Sequence, residues 1–200
     1  MKRALALVAL GLAGVALWWR KNPSACPYSQ RFWVEAPHPL ITPARLREIL
    51  EPEPGERVLE VGPGTGYYTL DLAEWTGSDG TVEILDIQQD MLDHTIRRAR
   101  ERGLWNVNAT QGDAQQLSYG NDAFDVAILI TTLGEVPDQD AVLRELARVL
   151  KPGGRLVVGE LFGDPHMVTL GALRRRAEAA GLRFERRAGP KLAYFARFSA

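Results

Sequence analysis

From residue 56 onward the chain alternates between two hydrophobic rhythms. Short apolar runs are separated by stretches in which apolar positions recur every three or four residues. The runs read as strands buried on both faces: "RVLEVG" (57–62), "TVEILDI" (81–87), "VNATQGD" (107–113), "FDVAILI" (124–130) and "GRLVVGEL" (154–161). The spacing between them predicts helices over 66–77, 88–103 and 138–150. In the second, Met91, Leu92, Thr95, Ile96 and Ala99 share one face, and Gly103 supplies the stop. The third ends in "KPGG", with Pro and Gly just past the last helical turn. Strands joined by single helices pair in parallel through right-handed crossovers, which gives an open α/β sheet.

Both ends depart from this rhythm. At the C-terminus a helix over 166–181 is followed by two strands, "LRFERR" and "KLAYFARFS", separated by Ala188-Gly189-Pro190. So short a link makes an antiparallel hairpin. On the other side, Thr42 before Pro43 is an N-cap followed by proline at the first helical position, opening the helix "PARLREIL". Residues 22–42 carry Pro23, Pro27, Pro37 and Pro39 among aromatics, and read as a linker that caps the domain. Residues 4–19 hold no charge, end in Trp18-Trp19, and lie between Lys2-Arg3 and Arg20-Lys21. As a helix they span about 24 Å, near the thickness of a hydrocarbon core. A retained membrane anchor is the first reading. A signal peptide is weakened by the lack of an A-x-A site, and a buried core helix is the plain alternative. The division expected is 1–21 anchor, 22–54 linker and cap helix, and 55–200 catalytic domain.

Composition narrows the function. A formal net charge of -1 and a pI near 6.3 give no basic surface for nucleic acid. One cysteine, Cys26, and three scattered histidines leave no ligand set for a metal. Eight basic residues fall in 170–200; they are either a solvated face or a contact for anionic headgroups.

The chemistry concentrates in "VLEVGPGTGYYT". Gly62, Gly64 and Gly66 follow a strand at every second position, where a backbone must turn sharply or admit a ligand. The dinucleotide fingerprint G-x-G-x-x-G would place its third glycine at Tyr67, and it is absent. Glu60, two residues before the loop, opposes a pyrophosphate but suits a ligand carrying ammonium and sulfonium groups. Asp86, at the end of the second strand, stands where an acid accepts ribose hydroxyls. Asp113, in "GDA", adds a second acid that suits an adenine amine. No Lys or Arg lies in the loop, so the pattern favours an adenosyl group without phosphate.

These segments resemble the class I S-adenosylmethionine-dependent methyltransferases, in particular the small-molecule branch that includes quinone-biosynthesis enzymes. The likeness runs from about Gly55 to the C-terminus, through "VLEVGPGTG", "LDIQQDML", "GDAQQL", "NDAFDVAILITTLGEVPD" and "ELARVLKPGGRLVV". It implies a Rossmann-like seven-stranded sheet of order 3-2-1-4-5-7-6, strand 7 antiparallel, with helices on both faces. It also implies S-adenosylmethionine as cofactor. Glu60 would face its methionine end, Gly62, Gly64 and Gly66 would admit it, and Asp86 with Ile87 would hold the ribose and adenine. Asp113 with Ala114 would bind the adenine edge, and Thr131 would touch the methionine moiety. Candidates for an acceptor-side base are Glu135, His166 and His38. The expected acceptor is small and hydrophobic or membrane-associated: a quinone precursor, a lipid amine, a phenol or a thiol. Tyr28, Phe32, Trp33, Leu40 and Ile41 could close a pocket over it. The anchor would hold the protein in a membrane with the catalytic domain facing the cytoplasm. A non-catalytic, membrane-tethered protein that binds S-adenosylmethionine is the alternative. The residues do not determine the oligomeric state.

Overall fold

The computed structural model describes residues 22–35 and 38–200, apart from the side chain of Trp33. The anchor expected over residues 4–19 lies outside the described residues. Among those described, no helix is long and apolar enough to cross a membrane.

Seven strands form one sheet in the order β3-β2-β1-β4-β5-β7-β6, the order that the resemblance implies. They are β1 (Arg57–Val61), β2 (Thr81–Asp86), β3 (Val107–Gln111), β4 (Phe124–Ile130), β5 (Leu150–Leu161), β6 (Arg183–Ala188) and β7 (Ala193–Ser199). The first five pair in parallel, while β7 runs antiparallel between β5 and β6. The helices are α1 (Phe32–Glu35), α2 (Pro43–Leu50), α3 (Thr69–Thr76), α4 (Gln89–Glu101), α5 (Gln139–Val149) and α6 (Leu170–Ala179).

Alternation along the central strands divides the core in two. Val58, Val82, Val126, Ile128 and Val157 face α2, α3 and α4, against Leu46, Leu50, Leu70 and Leu92. Leu59, Ala127, Leu129, Leu156 and Val158 face α5 and α6, against Leu143, Leu146 and Leu173. Cover on both faces is why these strands read as continuous apolar runs. Helix α2 belongs to this core, since Leu46, Ile49 and Leu50 are buried beneath it. It starts where Thr42 Oγ1 accepts from the Arg45 amide and ends at Glu51, a left-handed residue at φ 52°. Glu51 takes Arg186 and Arg197 from the terminal hairpin, tying the helix to the antiparallel edge.

"KPGG" does more than stop a helix. The register moves from Phe124↔Leu150 to Val126↔Arg155, so β5 spends five residues where β4 spends two. Lys151–Gly154 stand against Asp125 alone, an excess of three residues: a bulge within β5, not a loop before it. Gly153, at φ 77°, supplies the conformation that the bulge requires.

The parallel strands all end on one edge of the sheet. The loops that leave β1, β2, β3 and β4 there, together with the cap, enclose a cavity.

Candidate active site

The cavity has a volume of about 330 Å³ and lies between the strand ends and Ala25, Cys26, Val34, His38 and Ile41 of the cap. It is lined by Glu60, Gly62, Gly64, Asp86, Ile87, Asp113, Ala114 and Thr131, which the sequence reading had assigned to cofactor binding. Glu135 and His38 line it as well. No Lys or Arg is among its described lining residues.

Glu60 is the most confined of these groups. Position 60 alternates to the α3 side of the sheet, where Thr69 Oγ1 donates to Glu60 Oε2 at 2.5 Å. The side chain is 3% exposed, and burial pushes its pKa to about 7 despite that hydrogen bond. Asp86 closes β2; its Oδ1 accepts from the Gln88 amide at 2.9 Å, and burial raises its pKa. Asp113 is more open, and Gln115 donates to it through both its backbone and side-chain amides. A ligand amine at Asp113 would therefore share its acceptors with Gln115.

The glycine loop is held from behind. Gly62, Gly64 and Gly66 have φ of 69°, 55° and 79°, values that L side chains avoid. A Cβ at Gly62 would lie 2.5 Å from Thr132, one at Gly64 would lie 2.6 Å from Val34, and one at Gly66 would lie 2.8 Å from Thr95. The glycines thus make room for the protein's own β4 loop, cap and α4, as well as for a ligand. Gly66 is placed differently from its two companions: it packs on α4 and is not among the residues that line the cavity. Thr95 Oγ1 and Arg98 Nη1 donate to the loop carbonyls of Gly64 and Thr65 and fix it in place. Thr131 is a second strained point. A β-branched residue at φ 54° is an outlier of the sort stored at functional sites.

The cap is fastened by a residue that the sequence did not single out. Gln88 Nε2 donates to the Cys26 carbonyl at 2.9 Å, and its Oε1 accepts from the Tyr28 amide at 3.0 Å. One side-chain amide thereby clamps the cap two residues beyond Asp86. Tyr28 Oη meets His94 Nδ1 at 3.1 Å, so His94 is a cap contact on α4 and not the solvated residue its position suggests. Of the aromatic and apolar residues expected over the pocket, Ile41 lines it, while Phe32 and Leu40 are exposed. Val34 and Ala25 line it in their place.

The three candidate bases are treated differently. His166 is buried but does not line the cavity. Its amide donates to Asp164, and its carbonyl abuts Gly134, where even a Cβ would clash. Glu135 Oε1 accepts from the Cys26 amide at 3.3 Å. Burial, then Asp164, pushes its pKa to about 8. Burial lowers the pKa of His38, whose ring packs edge-on against Tyr67 at 5.2 Å.

A model of the ubiE/COQ5 methyltransferase family matches residues 40–172. The chain belongs to the ubiE/COQ5 methyltransferase family. Among its relatives is the ubiquinone/menaquinone biosynthesis C-methyltransferase UbiE of Vibrio campbellii, 42% identical over 113 residues, which are 56% of this chain and 43% of that protein. The UbiE of Idiomarina loihiensis is 38% identical over 117 residues, 58% and 46% of the two chains. The chain thus spans less than half the length of these curated relatives. Among solved structures, an S-adenosylmethionine-dependent methyltransferase from Aquifex aeolicus superposes with a TM-score of 0.79 at 22% identity, covering 88% of this chain and 98% of its own. The SpnF cyclase superposes at 0.66 with 29% identity, over 73% and 57%.

S-adenosylmethionine is the cofactor of this family, and the site fits it. Four carboxyls without a Lys or Arg among the described lining residues suit a ligand with cationic groups and no phosphate. Buried Glu60 would hold the ammonium, Asp86 the ribose hydroxyls, and Asp113 with Ala114 the adenine edge.

Glu60 also sets a pH dependence. Its folded-state pKa lies above its ordinary 4.5, so alone it favours the fold at low pH and withdraws that support as pH rises through about 7. A cation beside it favours the carboxylate. S-adenosylmethionine should therefore bind with proton release near neutral pH and tighten until pH passes about 7. Calorimetry in buffers of different ionisation heat measures this; Glu60→Gln should abolish the release, and an unchanged release would contradict the assignment.

Proposed function

We propose that the chain transfers the methyl group of S-adenosylmethionine to a ring carbon or ring hydroxyl of a small apolar acceptor of the quinone-precursor class. The observation that carries this is the composition of the cavity. Its wall combines the acids Asp113, Asp86 and Glu60 with the apolar and aromatic side chains of Val34, Ile41, Tyr67 and Tyr68. When bound, the sulfonium supplies an activated methyl and a neutral leaving group, so the protein must chiefly align the acceptor and exclude water. An apolar wall without Lys or Arg favours an uncharged ring over a phosphorylated or carboxylated acceptor. The family and the C-methyltransferase relatives support the same reading.

The direct test is a panel of acceptors followed by mass spectrometry: an anaerobic naphthohydroquinone, a simple phenol, an aromatic thiol and phosphatidylethanolamine. Methylation of the hydroquinone ring is expected to dominate. If S-adenosylmethionine binds and no acceptor is methylated, the alternative of a non-catalytic binder stands.

We also infer a membrane location, with the catalytic domain facing the cytoplasm, where the cofactor is made. The support is the uncharged run at 4–19, which ends just before the cap. Confinement to the layer in which an apolar acceptor dissolves would raise its effective concentration. A chain beginning at residue 24 should match the full chain on a water-soluble hydroquinone and lose rate on one embedded in vesicles. Equal rates on the embedded acceptor would remove this role.

A further inference from the structure

We propose that His38 takes the proton from the acceptor's ring hydroxyl. This rests on the reading of the acceptor as a hydroxylated ring. Phenolic hydroxyls stay protonated near neutral pH, and ionisation is what makes the ring nucleophilic, so a base facing the acceptor speeds the transfer.

Elimination within the cavity points to the cap histidine. Glu60 is bonded to Thr69 and buried at the cofactor end. Asp86 receives the Gln88 amide, and Asp113 receives Gln115 on both oxygens. Glu135 holds its proton up to a pKa of about 8 and accepts from the Cys26 amide, so at neutral pH it is an acid and not a base. His38 is different. It lines the cavity from the cap, beside Tyr67 of the loop after β1. Its Nδ1 is buried with no hydrogen-bond partner, so the ring is not tethered through that atom. Tyr67 holds the ring plane at 84° to its own. Burial alone lowers the pKa of His38, which leaves the ring neutral, and able to accept a proton, at the pH where the carboxyl of Glu135 is still protonated. The other titratable groups that line its cavity are Cys26, Glu60, Tyr67, Tyr68, Asp86, Asp113 and Glu135, and burial raises the pKa of the Cys26 thiol, which keeps its proton.

The step is a proton transfer. The acceptor's O–H bond breaks, its proton bonds to an imidazole nitrogen, and the electron pair stays on the oxygen and delocalises into the ring. The imidazolium returns its proton to water after the product leaves.

A pH profile and two variants of the full chain test this. The wild type's kcat for methylation of naphthohydroquinone should fall as pH drops through the lowered pKa of His38 and stay level above it. His38→Gln should lose on the order of 10²-fold in kcat at neutral pH and recover as pH approaches the hydroquinone's own pKa, while imidazole should restore part of the rate to His38→Ala. Calorimetric binding of S-adenosylmethionine by both variants shows that they are folded. A His38→Gln that keeps the wild-type rate at neutral pH, or a wild type without the fall at low pH, overturns the assignment of His38. A wild type that methylates no hydroxylated ring overturns the acceptor reading, and the assignment with it.

Discussion

A carboxyl buried at the end of the central strand, with no basic residue to pair with it, sets the terms for the whole site. Glu60 is buried on the α3 face, where it accepts from the Thr69 hydroxyl. In that setting the carboxylate is costly, and the group keeps its proton until about pH 7. A cationic ligand removes the conflict; a phosphate aggravates it. Asp86 and Asp113 repeat the same sign around the cavity. The binding preference therefore comes from the sign of the wall, and the glycine loop only lets the backbone come close enough for that sign to be felt.

The surrounding architecture keeps that wall in place. The loop after β1 is held by Thr95 and Arg98 of α4, and the strained Thr131 turns the end of β4 toward the same space. The cap is fixed through groups next to the cofactor acids: Gln88 lies two residues past Asp86, and Glu135 follows β4. Val34 occupies the gap that Gly64 leaves open. Cofactor loops and cap thus share contacts, so a change on one side of the cavity is transmitted to the other.

Much of this was legible in the sequence, for reasons that differ by element. The buried parallel strands were visible because both faces need apolar residues, and their order came from the family resemblance. The acids at strand ends were visible because position and charge both point to the ligand. What escaped depended on tertiary contacts. Gly66 looks like its two companions, yet its lack of a side chain serves Thr95 of α4, far away in the chain. His94 has a surface residue's neighbours in sequence, and only the docked cap gives it Tyr28. Gln88 carries no chemical signal at all; its role exists because residues 26–28 return to lie over it. "KPGG" reads as a stop, while the bulge it forms is defined only by its pairing with β4.

The claim that the acid-lined, phosphate-free cavity selects the cofactor is open to one direct measurement. Titration calorimetry of the wild type and Asp86→Ala should be run with S-adenosylmethionine and, separately, with NAD. The account predicts that the wild type binds S-adenosylmethionine and not NAD, and that Asp86→Ala weakens it by about 1.5–3 kcal/mol for each charge-assisted hydrogen bond lost. Binding of NAD by the wild type, or unchanged affinity for S-adenosylmethionine in Asp86→Ala, would contradict it.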